Sequence, residues 1–397
     1  MYSVAMRSAT DPAVSDVGRR SLSACLRNAV ASGEVPGVVA MVVGRDRILY
    51  EGAFGKRDVA RRADMTADTI FRIASMTKPL TTAAFLMLAD EGCLAVDDPV
   101  GQYLPRFKAS EVLVGVDEEQ GTLTTKPATT VMTIRHLLTH TSGIGYSWSD
   151  PGLAAARRVT RTTNDSELPL VHEPGTQWTY GASTRVLGGI AEVVTGQSID
   201  EFLRARVFEP LGMVDTGFDV PDSRHGRVAT VHRRVNGRLV DSSNPPSLAV
   251  PPRGDGALYS TATDYARFLQ LVLNHGRAGG ARLVSEAGMA AMSTNQIGPL
   301  RVRPQPAADP SWSRPFPTGA GHDTWSFGFQ VASAEGAHPG LRRPGSLGWG
   351  GLHNAHFFID PVSRIGVIVL MQVLPFYDEP AMRVYRVFEE AVYRALC

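Results

Sequence analysis

Residues 77–91 form an apolar run with a proline at its third position and a glycine directly after its end, a pattern that predicts a helix over 77–91 stopped by Gly92. Pro79 belongs in a first helical turn, where its missing N–H would have no partner in any case, so the helix must begin close to Ser75. The preceding stretch 69–74 (Thr-Ile-Phe-Arg-Ile-Ala) reads as a short buried strand. Ser75 therefore stands at a strand-to-helix junction, at the positive end of a helix dipole and beside free backbone N–H groups that can receive an oxyanion.

Lys78 follows Ser75 by three residues and projects from the same helix face, within reach of the serine hydroxyl proton. A serine hydroxyl is a poor nucleophile at neutral pH, and a lysine amine activates it only when neutral, a state favoured by burial and a nearby positive field. The chain has four lysines, Lys56, Lys78, Lys108 and Lys126. With so few, a chance Ser-x-x-Lys is expected about 0.3 times, so the motif needs support from its surroundings. Two segments supply it. Tyr180 lies in Trp178-Thr179-Tyr180-Gly181-Ala182, after the turn Glu173-Pro174-Gly175-Thr176 and just before a predicted helix over 187–194. Gly348-Trp349-Gly350-Gly351 precedes a strand-like run, and its glycines permit close approach of the backbone to a bound group, with the Leu352 N–H able to face Ser75.

These residues resemble the serine hydrolases of the class C β-lactamase and penicillin-binding fold, and within them the family VIII carboxylesterases. The resemblance runs along most of the chain. It covers Pro36-Gly37, Phe71-Arg72-Ile73-Ala74-Ser75-Met76-Thr77-Lys78-Pro79, His136-Leu137-Leu138-Thr139-His140-Thr141-Ser142-Gly143, Pro174-Gly175 to Tyr180, and Pro210-Leu211-Gly212-Met213. It implies Ser75 as nucleophile, Lys78 as base, Tyr180 as a proton-transfer group shared with Lys78, and the Ser75 and Leu352 N–H groups as oxyanion hole. The β-lactamases and penicillin-binding proteins of this fold carry Tyr-x-Asn and Lys-Thr-Gly where this chain has Ala182 and Trp349. A tryptophan offers no cation to a carboxylate, so carboxylated β-lactams are expected to bind poorly. Trp349-Gly350-Gly351 is similar to the Trp-Gly-Gly motif of family VIII esterases, whose pockets take uncharged acyl and alcohol groups. Tyr180-Gly181-Ala182 and the stretch from Phe376 to Tyr393 also resemble the fungal acyltransferases that esterify a statin precursor. The implied reaction is therefore hydrolysis of short to medium acyl esters through a Ser75 acyl-enzyme. The alternatives are transfer of the acyl group to an alcohol, or weak β-lactamase or D-amino-acid peptidase activity.

With 397 residues, 43% of them hydrophobic, the chain can bury a large core. Its formal net charge of +1 gives no electrostatic case for nucleic acid or an anionic membrane, and the expected partner is a small-molecule ester with a possible alcohol acceptor. Cys25, Cys93 and Cys397 are odd in number and widely spaced, which argues against a disulfide framework. Met1 to Arg7 lacks the apolar core of a signal peptide and no stretch reaches the length of a membrane span, so a soluble cytoplasmic protein is expected.

Helical spacing over 15–31 and 381–396, a hairpin over 38–43 and 47–54, and strand-like runs at 327–332, 356–359 and 365–371 predict an α+β fold. Its antiparallel sheet is built from both chain ends and flanked by the terminal helices. The expected sheet domain is discontinuous, 1–91 and 253–397. A mostly helical domain over 92–252 completes it, with the groove between the two. The proline cluster at Asn244-Pro245-Pro246 and Pro251-Pro252-Arg253-Gly254 marks the return to the sheet. Segment 299–321 either overhangs the groove or is a plain surface excursion. His136 and His140 have the spacing of helix zinc ligands, but Leu137 stands where a metalloprotease has glutamate, and neither metal nor cofactor is expected. Tyr146 either lines the groove or packs, and Trp349, Gly350, Gly351 and His353 are the remaining candidate substrate contacts.

Overall fold

The computed structural model describes residues 12–242, 251–317, 319–338 and 340–397. The segment Met1 to Arg7 and Asn244 to Pro246 lie outside the described residues. The main sheet contains β1 (Gly37–Val43), β2 (Ile48–Asp58), β3 (Ala63–Asp64), β4 (Thr324–Trp325), β5 (Gln330–Val331), β6 (Leu347–Gly351), β7 (Ala355–Asp360) and β8 (Ile365–Leu370). Their spatial order is β4-β5-β6-β7-β8-β1-β2-β3, and every neighbouring pair is antiparallel. The N-terminal hairpin thus joins the C-terminal strands through β1 and β8, with Val39 opposite Leu370 and Met41 opposite Ile368. Sheet and helices together form the expected α+β arrangement.

Alternation along β1 divides the core. Val38, Ala40 and Val42 pack with α1 (Asp16–Ala31) and α5 (Glu379–Ala395), whereas Val39, Met41 and Val43 face the side that carries α2 (Thr77–Asp90) and α4 (Ala262–Leu273). Both faces of β1 are covered, which is why its sequence is continuously apolar. Helix α1 starts at Ser15, whose side chain accepts from the Gly18 N–H, and α5 starts at Asp378, which caps Ala381. Helix α2 is buried on all sides from Thr77 to Leu88, which explains an apolar run without a polar stripe.

The middle of the chain carries α3 (Ser183–Thr195), closed by Gly196 in the left-handed region, and several shorter helices. It is less purely helical than its sequence suggests. Glu111–Asp117 pairs with Thr122–Pro127, and His232–Val235 pairs both with Arg238–Asp241 and, in parallel, with Val373–Leu374. The buried strand predicted over 69–74 shortens to Phe71–Arg72, which pairs with Tyr259–Ser260 outside the main sheet. The strand predicted over 327–332 shortens to Gln330–Val331. One apolar cluster runs from the inner face of the sheet through α2 to Leu187 and Ile190 of α3, so the elements that carry the site share a core. Among the described residues no helix is long and apolar enough to cross a membrane.

Candidate active site

Ser75 sits in a single 3-10 turn, Ala74–Met76, directly before α2. Ala74 has φ +45°, a left-handed conformation that costs a residue with a Cβ about 1 kcal/mol. The turn is held from several directions. Ile73 N–H donates to Leu258 O at 3.0 Å, Thr77 Oγ1 donates to Ala74 O at 2.6 Å, and the buried Tyr265 hydroxyl donates to Met76 O at 3.0 Å. Because Ser75 is the second residue of the turn, its amide has no acceptor within it. Strand β6 ends against the same turn: a Cβ on Gly351 would stand 2.2 Å from Ile73 O, so only glycine permits this approach. Leu352, the next residue, lines the same cleft as Ser75.

Lys78 is 1% exposed, and its Nζ lies 3.1 Å from Ser75 Oγ, 3.1 Å from the Tyr146 hydroxyl and 2.8 Å from the Asp255 carbonyl oxygen. The Tyr146 hydroxyl donates to Asp255 Oδ2 at 2.6 Å. Arg185, from the first turn of α3, reaches both oxygens of that carboxylate at 3.2 Å, and Arg253 Nε lies 3.4 Å from Oδ1. Burial alone pushes the Asp255 carboxyl up, but Lys78, Arg185 and Arg253 together outweigh it and hold the group below the usual carboxylate range. Burial and the neighbouring Asp255 charge push Tyr146 well above the ordinary phenol value.

Tyr180 approaches Lys78 beside Tyr146. A Cβ on Gly181 would lie 1.9 Å from Ile144 O, so the glycine lets the Tyr180 loop pass against Ile144 and brings the Tyr146 and Tyr180 ring centroids to 5.4 Å. Lys78 Nζ is 4.9 Å from the Tyr180 ring centroid, and the Tyr180 hydroxyl accepts from Trp349 Nε1 at 3.2 Å. Tyr180 belongs to an aromatic wall in which its ring centroid is 4.7 Å from that of Trp349 and 5.1 Å from that of His140. His140 is buried among Trp178, Tyr180 and Trp325 with Nδ1 unbonded, and burial followed by the Lys78 charge pushes it well below its usual value. His136, its partner in the zinc-like spacing, accepts at Nδ1 from the Thr133 N–H at 3.1 Å and caps a helix.

The structure thus brings Ser75, Lys78, Tyr146, Tyr180, Trp349 and Leu352 together. Gly350 and His353 lie elsewhere. Gly350 opens to a separate cavity of about 370 Å³ behind β6, where a Cβ would stand 2.8 Å from His356 Nδ1. His353 is buried and pushed down to about 3 by burial and the Arg72 charge. The cleft over Ser75 has a volume of about 850 Å³, and its lining includes Arg157, Arg158, Arg161, Arg185 and Arg253 together with Asp165, Asp255 and Asp309. Arginines outnumber aspartates there, so the cleft carries an excess of positive charge despite the tryptophan at position 349. Segment 299–321 reaches the cleft. Ala308 and Asp309 N–H groups both donate to Trp148 O at 3.0 Å, and Trp312 forms part of the wall.

Asp255, Arg185 and Arg253 had no sequence signal of their own. The stretch Arg253-Gly254-Asp255-Gly256 after two prolines has the composition of an exposed turn, and only the tertiary fold reveals a carboxylate 2% exposed beside Lys78.

Residues 22–391 match the family model described as beta-lactamase. The chain belongs to the beta-lactamase family. Esterase EstB of Burkholderia gladioli is 30% identical over 378 residues, 88% of this chain and 89% of that protein. Monacolin J acid methylbutanoyltransferase of Aspergillus terreus is 28% identical over 401 residues, 94% of this chain and 95% of the relative. The solved structure of a simvastatin synthase mutant from Aspergillus terreus superposes with a TM-score of 0.81 at 25% identity, covering 95% of each chain. Esterase and acyltransferase relatives on this fold make the chain a serine hydrolase-type enzyme of the beta-lactamase family.

Proposed function

We propose that this beta-lactamase family member is a carboxylesterase that acts on short to medium acyl esters through a covalent Ser75 intermediate. The observation that carries this reading is the 3.1 Å contact between Lys78 Nζ and Ser75 Oγ at a strained turn beneath Leu352. In the first step the Ser75 proton passes to neutral Lys78 while Oγ bonds to the ester carbonyl carbon, and the resulting oxyanion is received by the Ser75 and Leu352 N–H groups. The carbon–oxygen bond to the alcohol then breaks, and the alcohol leaves with a proton returned from the Lys78 and Tyr180 pair. Water repeats the attack and releases the acid. No step calls for a metal or an organic cofactor.

The aromatic wall supports ester rather than β-lactam chemistry, since Trp349 donates its indole N–H to Tyr180 where Lys-Thr-Gly enzymes carry an ammonium. Acyl transfer is the second reading, favoured by the full-length similarity to a methylbutanoyltransferase. It differs only in the species that attacks the acyl-enzyme. The test is the ratio of kcat/KM for a butyrate ester to that for a penicillin, followed by product analysis with added alcohol. A ratio well above one supports the esterase reading, and a ratio at or below one returns the chain to β-lactam chemistry. A new ester formed in preference to free butyrate assigns acyl transfer.

A further inference from the structure

We propose that Asp255 is a positioning residue that, through Tyr146, aims the lone pair of Lys78 at Ser75. The inference rests on the reading of Ser75 as nucleophile and Lys78 as base. It follows from counting donors and acceptors around one nitrogen. Lys78 Nζ has three oxygen neighbours, Ser75 Oγ, the Tyr146 hydroxyl and Asp255 O. The last is a carbonyl oxygen, which can only accept.

Tyr146 has one proton, and it is committed: the hydroxyl donates to Asp255 Oδ2 at 2.6 Å. That carboxylate is an acceptor only while ionised, and the two guanidinium groups that face it, Arg185 from α3 and Arg253 from its own loop, favour that state while Lys78 is neutral. Towards Lys78 the Tyr146 oxygen can therefore only accept. A neutral amine has two N–H bonds and one lone pair. With one N–H drawn to Asp255 O and the other to Tyr146, the lone pair is left for Ser75 Oγ, the one neighbour with a proton to give. After transfer, Lys78 is an ammonium whose three N–H bonds already have three acceptors in place, so no group has to turn.

Without the carboxylate, Tyr146 is free to donate its proton to the Lys78 lone pair and so compete with Ser75. The logic parallels the aspartate of a Ser-His-Asp triad, which holds a base in its productive orientation without taking the proton itself. The carboxylate is fixed in turn from outside: Arg185 also donates to Asn164 Oδ1 at 2.8 Å, tying the pair to the wall of the cleft.

The test is the rate at which a fluorophosphonate labels Ser75, which reads nucleophilicity without knowledge of the natural ester. It is measured on the pH-independent plateau, with thermal unfolding of each variant recorded in parallel. Asp255→Asn should slow labelling by about 100-fold, the scale of a misdirected catalytic contact. Tyr146→Phe removes the competing proton and should slow it much less. The double variant should label faster than Asp255→Asn alone, because the hydroxyl that became a competitor has been deleted. A purely structural Asp255 predicts the opposite, a double variant slower than either single one, and that result overturns the proposal. If Asp255→Asn does not fold, Tyr146→Phe still decides, since a loss as large as that of Lys78→Ala would make Tyr146 an obligatory proton carrier and contradict the proposal. Wild-type protein that fails to label at Ser75 overturns the nucleophile reading and this inference with it. Labelled wild type with an equally fast Asp255→Asn variant overturns only the inference.

Discussion

Lys78 meets two adjoining walls built on opposite principles. In one, Tyr146, Asp255, Arg185 and Arg253 form a chain of charges and directed hydrogen bonds, anchored by a carboxylate 2% exposed. In the other, Tyr180 is held by packing, with the rings of Trp349, Trp178, His140 and Phe316 around it and a hydrogen bond from Trp349. Both tyrosines are buried, at 6% and 3% exposure, so burial does not distinguish them. Their partners do. Tyr146 has its proton bound to a carboxylate, whereas Tyr180 accepts from an indole N–H and keeps its own proton available. In the proposed mechanism this difference gives orientation to the polar wall and proton exchange to the aromatic wall.

The largest expected effect tests what the two walls share. Lys78→Ala should lower kcat for a nitrophenyl butyrate by about 10³-fold, within the range for removal of a general base. A rate within a few-fold of wild type would mean that neither wall serves Lys78. Next comes the contrast between the tyrosines. Tyr180→Phe should cost about 10²-fold and combine with Lys78→Ala far less than multiplicatively, because in the proposed mechanism the two act as one proton-transfer unit. Equal losses for Tyr180→Phe and Tyr146→Phe would erase the distinction between the walls.

Acid should separate the walls in stability. His140 in the aromatic wall is held below its usual value by burial and the Lys78 charge, and burial likewise pushes His353 and His356 down to about 3. Since the unfolded chain binds protons at these groups first, their stabilising contribution is complete above the unfolded value of about 6.5. It falls by ~1.4 kcal/mol per pH unit for each histidine as pH drops towards the folded value. Asp255 is shifted in the same direction but from the ordinary carboxylate value, so the polar wall keeps its ion pairs until the pH falls below the carboxylate range, well under the window in which the histidines act. Denaturant unfolding at pH 7 and pH 5 measures this, and unchanged stability would contradict the burial of neutral histidines. The smallest effect is that of Trp349→Phe, which removes the 3.2 Å hydrogen bond to Tyr180 while keeping a ring in place. About 1 kcal/mol, or roughly a fivefold change in rate, is expected.

Much of the scaffold was legible because its signals are local. The helix over 77–91 differs by one residue from Thr77–Asp90, and Ser15 was placed at the start of the first helix, where it caps Asp16–Ala31. Ser75, Lys78 and Tyr180 were legible for a related reason, since a Ser-x-x-Lys at a helix start and a tyrosine before a helix each lie within one short segment. Of the polar wall only Tyr146 was singled out, as a residue that either lines the groove or packs. Tyr146 and Asp255 are 109 residues apart, and a buried carboxylate between glycines has the same composition as a solvated turn. The two hairpins of the middle region were also missed. Val112, Val114 and Val116 of strand Glu111–Asp117 do keep a period of two, a strand signal that the mostly helical reading of 92–252 passed over, whereas its partner Thr122–Pro127 carries no apolar alternation.

The most direct test of the account is intact-protein and peptide mass after brief exposure to nitrophenyl butyrate. The account predicts a single butyryl adduct on the peptide that contains Ser75, absent from Ser75→Ala while that variant unfolds at the wild-type temperature. An adduct on another residue, or turnover by Ser75→Ala at the wild-type rate, would contradict it.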